Sequence, residues 1–333
     1  MNILFTCAGR RTYLLKYFKE QLAGDGLIVA TDMQLTAPAL SAADVKEQVP
    51  AVYAEDYIDR TLDICRKHKI KAVISLNDLE LPIMANNRKR FENENVTVIV
   101  SSPKVIDICF DKYKTALYVD SLGLKTPKTF ISLDKAIEAL NKYDLSFPLV
   151  LKPRWGSGSI GIEFVNDLDE LRETYARLLK KVKKSILGNA SRGNEYILIQ
   201  EALNGQEYGM DVMNDLVGNN HGVSVKMKLA MRAGETDKAR TVDHPIIRTI
   251  GRTLGTSLKH IGNLDVDIFE REGQYYVLEL NPRFGGGFPF SYEAGVNFPK
   301  AIIEWLKGNE IDDSILVPQY DMAFAKCDYL VEI

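Results

Sequence analysis

The stretch Gly262–Arg283, GNLDVDIFEREGQYYVLELNPR, constrains the fold of this 333-residue chain more than any other. Two apolar rows of period two, Leu264-Val266-Ile268 and Tyr276-Leu278-Leu280, flank the turn residues Arg271, Glu272, Gly273 and Gln274. That pattern predicts a β-hairpin. If the two rows share a buried face, Val266 lies opposite Leu280 and Ile268 opposite Leu278. The other face then sets Asp267 across from Glu279, with Asn281 two residues further on. Cross-strand neighbours lie ~5 Å apart at Cβ, where like charges repel. A hard cation held by two carboxylates and an amide oxygen would offset the repulsion, and Arg283 could hold an anion bidentately. A solvated acidic face fits this stretch by itself equally well.

Residues 1 to about 105 alternate strands and helices: strands at Asn2–Thr6, Leu27–Thr31, Ala72–Leu76 and Val96–Val100, helices at Arg11–Ala23 and Tyr57–His68. This alternation predicts a parallel, Rossmann-like sheet. Gly9 and Asp32 follow the first two strands, but the segment reads CAGRRTY, so the dinucleotide fingerprint G-x-G-x-x-G is missing. Both residues are open to a turn role or a pocket role. Asp78 and Glu80 follow the third of these strands, at the sheet end where ligands bind or where a helix is capped.

Further on, Lys112 falls in the first turn of a helix over Asp111–Leu122, where a cation opposes the helix dipole. It is either exposed or reaching a ligand. Lys152 interrupts the apolar strand Pro148–Pro153, and a lysine there needs a pocket or a carboxylate. The loop after it, with Gly156, Ser157, Gly158, Ser159 and Gly161, can cradle phosphate through successive N–H groups or form a plain hairpin tip. Asp167–Lys184 is an amphipathic helix. Strands are expected at Tyr196–Gln200, Glu207–Met213 and Gly222–Arg232. In the last, Val223, Val225, Met227, Leu229 and Met231 share one face and Lys226, Lys228 and Arg232 the other. Residues 232–240 read as a polar loop, either an active-site loop or a surface loop. Helices follow at Pro245 and over Pro299–Lys307, and a closing strand over Tyr320–Val331.

Composition is ordinary for a globular protein, with 46% hydrophobic and 26% charged residues. A net charge of −3 leaves no electrostatic footprint for nucleic acid or an anionic membrane. Four scattered cysteines without a CxxC pair argue against disulfides and zinc and fit a reducing cytoplasm. The N-terminus lacks a signal-peptide pattern, and no apolar run is long enough to span a bilayer.

Taken in order and spacing, the motifs between Asp107 and Gly308 resemble the ATP-grasp superfamily, nearest its carbamoyl-phosphate synthase large-subunit-like group, which includes the pyrrolysine-biosynthesis ligase. The resemblance implies an α/β protein: a Rossmann-like pre-ATP-grasp sheet over 1–106, then a two-lobed ATP-grasp α+β domain over 107–310. A mobile lid would cover about 117–203, and 311–333 would return to the body. It also assigns roles. Lys112 and Lys152 look like the lysines on ATP phosphates, and Gly156–Gly161 like the lid loop over them. Glu201, Ala202 and Leu203 look like the adenine hinge, and Glu207 like the ribose ligand. Asp267, Glu279 and Asn281 match the metal ligands, with Asp265 a competitor to Asp267. Arg283 matches the arginine at the transferred phosphate, so Arg283, Lys152 and Asn281 form the catalytic set.

The implied cofactors are ATP and Mg²⁺, with Mn²⁺ as an alternative, and the implied activity is a stand-alone carboxylate–amine ligase working through an acyl-phosphate. Small-molecule carboxylate and amine substrates are expected, an amino acid or other small carboxylate among them, and a homodimer is an option. A phosphotransferase or a non-catalytic ATP sensor are the competing readings.

Overall fold

The structure is a computed structural model that describes residues 1–156, 161–190 and 195–333. Its first unit alternates as expected: β1 (Asn2–Thr6), α1 (Thr12–Leu22), β2 (Ile28–Asp32), β3 (Val45–Gln48), α2 (Tyr57–Lys67), β4 (Ile70–Ser75), α3 (Leu81–Glu92) and β5 (Thr97–Ile99). The strands form a parallel sheet in the order β3-β2-β1-β4-β5. Side chains alternate across it, so Ile3 and Phe5 pack with α1 on one face while Leu4, Val29 and Val73 pack with α2 and α3 on the other. Edge strand β3, VKEQ, carries no apolar run and has no counterpart in the sequence reading. Gly9 and Asp32 take turn roles: the Gly9 N–H donates to Asp32 Oδ2 at 3.0 Å, and Gly9 has φ of +54°. Glu80 is fully buried and accepts hydrogen bonds from Thr6, Ser75 and Tyr57.

Helices α4 (Pro103–Phe110) and α5 (Lys112–Ser121) lead to a small sheet. It contains β6 (Thr129–Phe130), β7 (Leu149–Pro153), β8 (Glu163–Val165) and β9 (Ile197–Glu201), in the order β6-β9-β7-β8. Helices α6 (Leu133–Asn141), α7 (Leu168–Lys183) and α8 (Ile186–Ala190) accompany it. Asp167 caps α7 by accepting from the Glu170 N–H, and Leu171, Leu178 and Val182 bury its apolar stripe.

The third sheet carries the initial hairpin. It comprises β10 (Gln206–Asn214), β11 (Asn220–Arg232), β12 (Glu235–Thr241), β13 (Gly262–Arg271), β14 (Gln274–Asn281) and β15 (Ala323–Ala325), in the order β14-β13-β10-β11-β12-β15. Its apolar face buries Met210, Val212, Val225, Leu264 and Val266 under α4, α5 and α9 (Pro245–Leu258). Each such side chain contributes about 1.5–3 kcal/mol, so a one-residue slip of register is strongly disfavoured. Helices α10 (Phe288–Glu293) and α11 (Phe298–Leu306) follow, and α11 packs on α1 of the first unit. Among the described residues, no helix is long and apolar enough to cross a membrane.

Five expectations need correction. A bulge between Asp267 and Ile268 pairs Ile268 with Val277 instead of Leu278, so Val277, not Leu278, joins the core. The hairpin turn is only Glu272-Gly273, both at positive φ, with Arg271 and Gln274 already paired. Residues 232–240 are mostly strand β12, entered through a tight turn at Ala233-Gly234. Two bulges along β11 turn Met231 into the cleft described below, leave Leu229 47% exposed, and send Arg232 to Asp237 and Asp328. The closing strand is also shorter than expected, only Ala323–Ala325, because its pairing with β12 ends there.

His260 is fully buried, bonds the Val212 carbonyl at 3.0 Å, and has its pKa pushed down to about 4 by burial. The unfolded chain therefore takes up a proton near pH 6.5 that the folded chain refuses, so this stability is present above that pH and lost as pH falls toward 4. Between pH 7 and pH 5 the loss should be on the order of 2 kcal/mol. Urea unfolding at both pH values checks this, and His260→Gln should flatten the difference.

Candidate active site

The polar face of the third sheet forms the floor of a cleft of about 210 Å³, roofed by β7 and the start of α5 and closed at one end by Arg11. Its grid follows from strand alternation. On β13 and β14 Asp267 pairs with Glu279 and Asp265 with Asn281, the register that burial of Val266 and Leu280 demands. On β10, Gly209 lies opposite Asp267 and Asp211 opposite Asp265. The missing side chain at Gly209 makes room, because a Cβ there would touch the Lys228 Cε at 3.4 Å.

Lysines answer these carboxylates. Lys228 Nζ lies 2.7 Å from Asp267 and 2.5 Å from Glu207, and the two carboxylates raise its pKa against the lowering effect of burial. Lys226, buried, pairs with Asp211, which also accepts from Ser291 at 2.6 Å and Asn263 at 2.9 Å. Lys112 occupies the first position of α5, with Asp111 as the cap; it donates to the Gly156 carbonyl and lies 3.7 Å from Glu279. Lys152 differs. It is 8% exposed and faces the cleft from β7, with no hydrogen-bond or ion-pair partner among the described residues. Burial pulls its pKa down to about 8; Lys112 pulls the same way, and Glu279 and Asp267 oppose.

Arg283 stands where the two units meet. Its Nε and Nη2 donate to Asp78 Oδ2 at 3.0 and 2.8 Å, and Nη1 reaches Asp265 at 3.4 Å. Asp78 follows β4, at the carboxyl edge of the parallel sheet, so that edge grips an arginine of the other unit. Asp265 is pushed up to about 7 by burial and by Asp267, with Arg283 opposing.

Of the expected site residues, Lys112, Lys152, Gly156, Asp267, Glu279, Asn281 and Arg283 line this one cleft. Glu201, Ala202, Leu203 and Glu207 do not line it: Glu201 is tied to Arg271 at 2.9 Å and Glu207 to Lys228. Gly161, at φ +72°, sits against Pro153 and Leu178 instead. Ser157, Gly158 and Ser159 lie outside the described residues. Both Asp265 and Asp267 line the cleft. Sequence reasoning missed Arg11 as a lining residue, whereas Glu235 and Thr236 fall within the polar segment 232–240, and of its two readings, active-site loop or surface loop, these two residues take the first.

Residues 3–99 match the model described as PylC-like, N-terminal domain, and residues 145–289 match that of the ATP-grasp domain. The chain joins a PylC-like N-terminal domain to an ATP-grasp domain. A carbamoyl phosphate synthase large chain of Clostridium beijerinckii is 24% identical over 215 residues, 60% of this chain and 18% of that one. The chain thus spans about a fifth of the length of the curated relatives it matches. A biotin carboxylase from Campylobacter jejuni, in its β-γ-ATP complex, superposes with a TM-score of 0.76 at 15% identity, covering 95% of this chain and 73% of that one. An L-amino acid ligase from Bacillus licheniformis gives 0.72 at 20% identity, covering 96% and 78%. The ATP-grasp match includes the whole of β7 and the hairpin through Arg283, so the cleft floor and Lys152 belong to the ATP-grasp domain.

A Cβ on Gly285 would fall 2.1 Å from the Asp265 carboxyl group. Gly285→Ala should therefore displace Asp265 from Arg283 and destabilise by about 1–3 kcal/mol. The midpoint of urea unfolding checks this.

Proposed function

We propose that the protein is an ATP-dependent carboxylate–amine ligase that releases ADP and phosphate. The observation that carries this is Lys152: a buried ammonium without a partner among the described residues, in a cleft whose floor bears an acidic pair, is a site waiting for an anion. Triphosphate oxygens fit there, with Lys112 and Gly156 beside them. The biotin carboxylase neighbour is a nucleotide complex, and a second biotin carboxylase domain, from Hydrogenobacter thermophilus, is a complex with MgADP.

Asp267, Glu279 and Asn281 offer oxygen donors only, which suits Mg²⁺ or Mn²⁺. Among the described residues, no three acidic, His or Cys side chains converge as a preformed metal site. The donor set is complete only with phosphate oxygens and water, as such ions prefer. Bound there, the ion would neutralise charge on the phosphates. Asp267 and Glu279 would then exchange Lys228 and Lys112 for it, freeing both ammonium groups for ligands.

The steps follow from charge placement. A substrate carboxylate oxygen, drawn to Arg283, attacks the γ-phosphorus; the bond to the β-γ bridging oxygen breaks, and ADP leaves with the electron pair. Lys152 holds the phosphoryl charge that develops. A neutral amine then attacks the acyl carbon, the carbon–oxygen bond to phosphate breaks, phosphate departs, and the nitrogen loses a proton to solvent. The protein contributes position and charge; no covalent nucleophile is needed. Asp78 acts through Arg283, fixing its plane from the other unit. Adenine near Glu201–Leu203 and ribose near Glu207 complete the reading, and residues 117–203 would move as a lid.

With Mg·ATP and pooled carboxylates and amines, ADP release should require both pools, and Glu279→Ala should abolish it. Release with carboxylate alone would turn the reading toward a phosphotransferase, and ATP binding without turnover toward a sensor. Asp78→Asn removes a charge-assisted pair, so the turnover rate should fall by about tenfold or more while nucleotide affinity moves far less. Unchanged turnover would show that Asp78 has no positioning role.

A further inference from the structure

The end of the cleft away from Lys112 and Lys152 carries two opposite charges that the chemistry above leaves unused. Arg11 stands at the N-terminal end of α1 and reaches the cleft from the first unit. Its Nε is buried without a hydrogen-bond partner, and its guanidinium has no acceptor among the described residues. Glu235 reaches the same end from the β11–β12 turn. The Gly286-Gly287 backbone lines the space beside it, and a Cβ on Gly286 would sit 3.0 Å from Glu235 Oε2.

These groups sense one another. Burial works to raise the pKa of Glu235, and Lys326, Arg11 and Arg283 together hold it below the ordinary carboxylate range. The Tyr13 hydroxyl, donating to the Gly285 carbonyl at 3.5 Å, lies in the field of Arg11, Glu235, Arg283 and Asp265 and is pushed up to about 12, mainly by burial. Glu235 has one ion partner among the described residues, Lys326 at 3.2 Å, and its side chain is 59% exposed. An ion pair that open to solvent is weak, and a ligand cation can replace it.

We propose that this end of the cleft is a subsite for a zwitterionic amino acid, with its carboxylate on Arg11 and its ammonium on Glu235. The inference rests on the ligase reading and assigns the amino acid as the amine-bearing substrate, whose ammonium, held on the solvent-exposed Glu235, gives a proton to solvent before the neutral amine attacks the acyl carbon. The carboxylate to be activated belongs beside Arg283 and Lys152, so a carboxylate on Arg11 is a recognition group that survives the reaction. A simple anion would meet Glu235, and a simple amine would meet Arg11 and Arg283; a molecule bearing both charges satisfies each. Bidentate carboxylate binding suits a guanidinium with free donors. A buried unpaired donor also rejects ligands that cannot accept from it, so an amine lacking the carboxylate should be strongly disfavoured.

The test is calorimetric, with the full chain and Mg²⁺, with and without a non-hydrolysable ATP analogue. The proteinogenic L-amino acids are titrated against their decarboxylated amines and their N-acetyl derivatives. At least one amino acid should bind, with either capped or truncated form weaker by about tenfold or more. Arg11→Ala and Glu235→Gln should each weaken that amino acid by about tenfold or more, leave nucleotide affinity within about threefold and keep the thermal midpoint. Arg11→Lys should recover part of the loss. The inference is overturned if no amino acid binds better than its decarboxylated amine, or if Arg11→Ala binds it as well as the parent protein. The ligase reading fails on a different result, an absence of ADP release or of nucleotide binding, which leaves amino-acid binding measurable.

Discussion

Everything in the cleft depends on a sheet with one face apolar and the other crowded with charge. Antiparallel alternation forces this division: burying Leu264, Val266 and Leu280 under the helices leaves Asp265, Asp267 and Glu279 on the other side. Facing carboxylates would repel, and the chain answers with Lys228, Lys226 and Lys112, each drawn from a neighbouring strand or helix. The result is a polar floor of paired charges beneath Lys152, an ammonium with no hydrogen-bond or ion-pair partner among the described residues. Stability and ligand affinity are thus set by the same charges, since each pair satisfied within the ligand-free protein must be exchanged when a ligand enters.

The second dependence lies between the units. Arg283 is buried at their junction and takes its partners from both, Asp78 on one side and Asp265 on the other. Breaking a buried pair of this kind typically costs about 3–5 kcal/mol, so the units are bound together by the residue nearest the proposed chemistry. Aromatic packing of Tyr17 on Tyr292, and of Phe18 on Phe284, extends this junction away from the cleft.

The hairpin register was legible because period two and burial admit a single solution near Val266 and Leu280. The bulge beside it was not, since Val277 and Leu278 are both apolar and an inserted residue leaves no compositional trace. Strand β12, ETDKART, looks like a loop by hydrophobicity because its buried residues, Thr236, Ala239 and Thr241, include no large apolar side chain. Asp78 could be placed at the end of β4, but its partner is 205 positions away, and no local pattern links them. Arg11 was indistinguishable from Arg10 until α1 fixed which of them faces the cleft. The parallel sheet and the acidic pair were thus readable from local rules, whereas contacts across units were not.

The bulge in β14 also sets a geometry beyond the cleft. Past it, the sides of β14 exchange while those of β13 do not, so Tyr276 joins Arg271 on one face near the tip. There Arg271 holds Glu201 at the end of β9, and the Val277 N–H donates to the Lys125 carbonyl ahead of β6. The hairpin tip is therefore the seat on which the small sheet rests above the floor. A single inserted residue works as a phase shifter: it lets one ribbon present carboxylates to the cleft at its base and a docking surface at its tip. Strand register in the hairpin thus decides which side chains meet the small sheet as well as which meet the cleft.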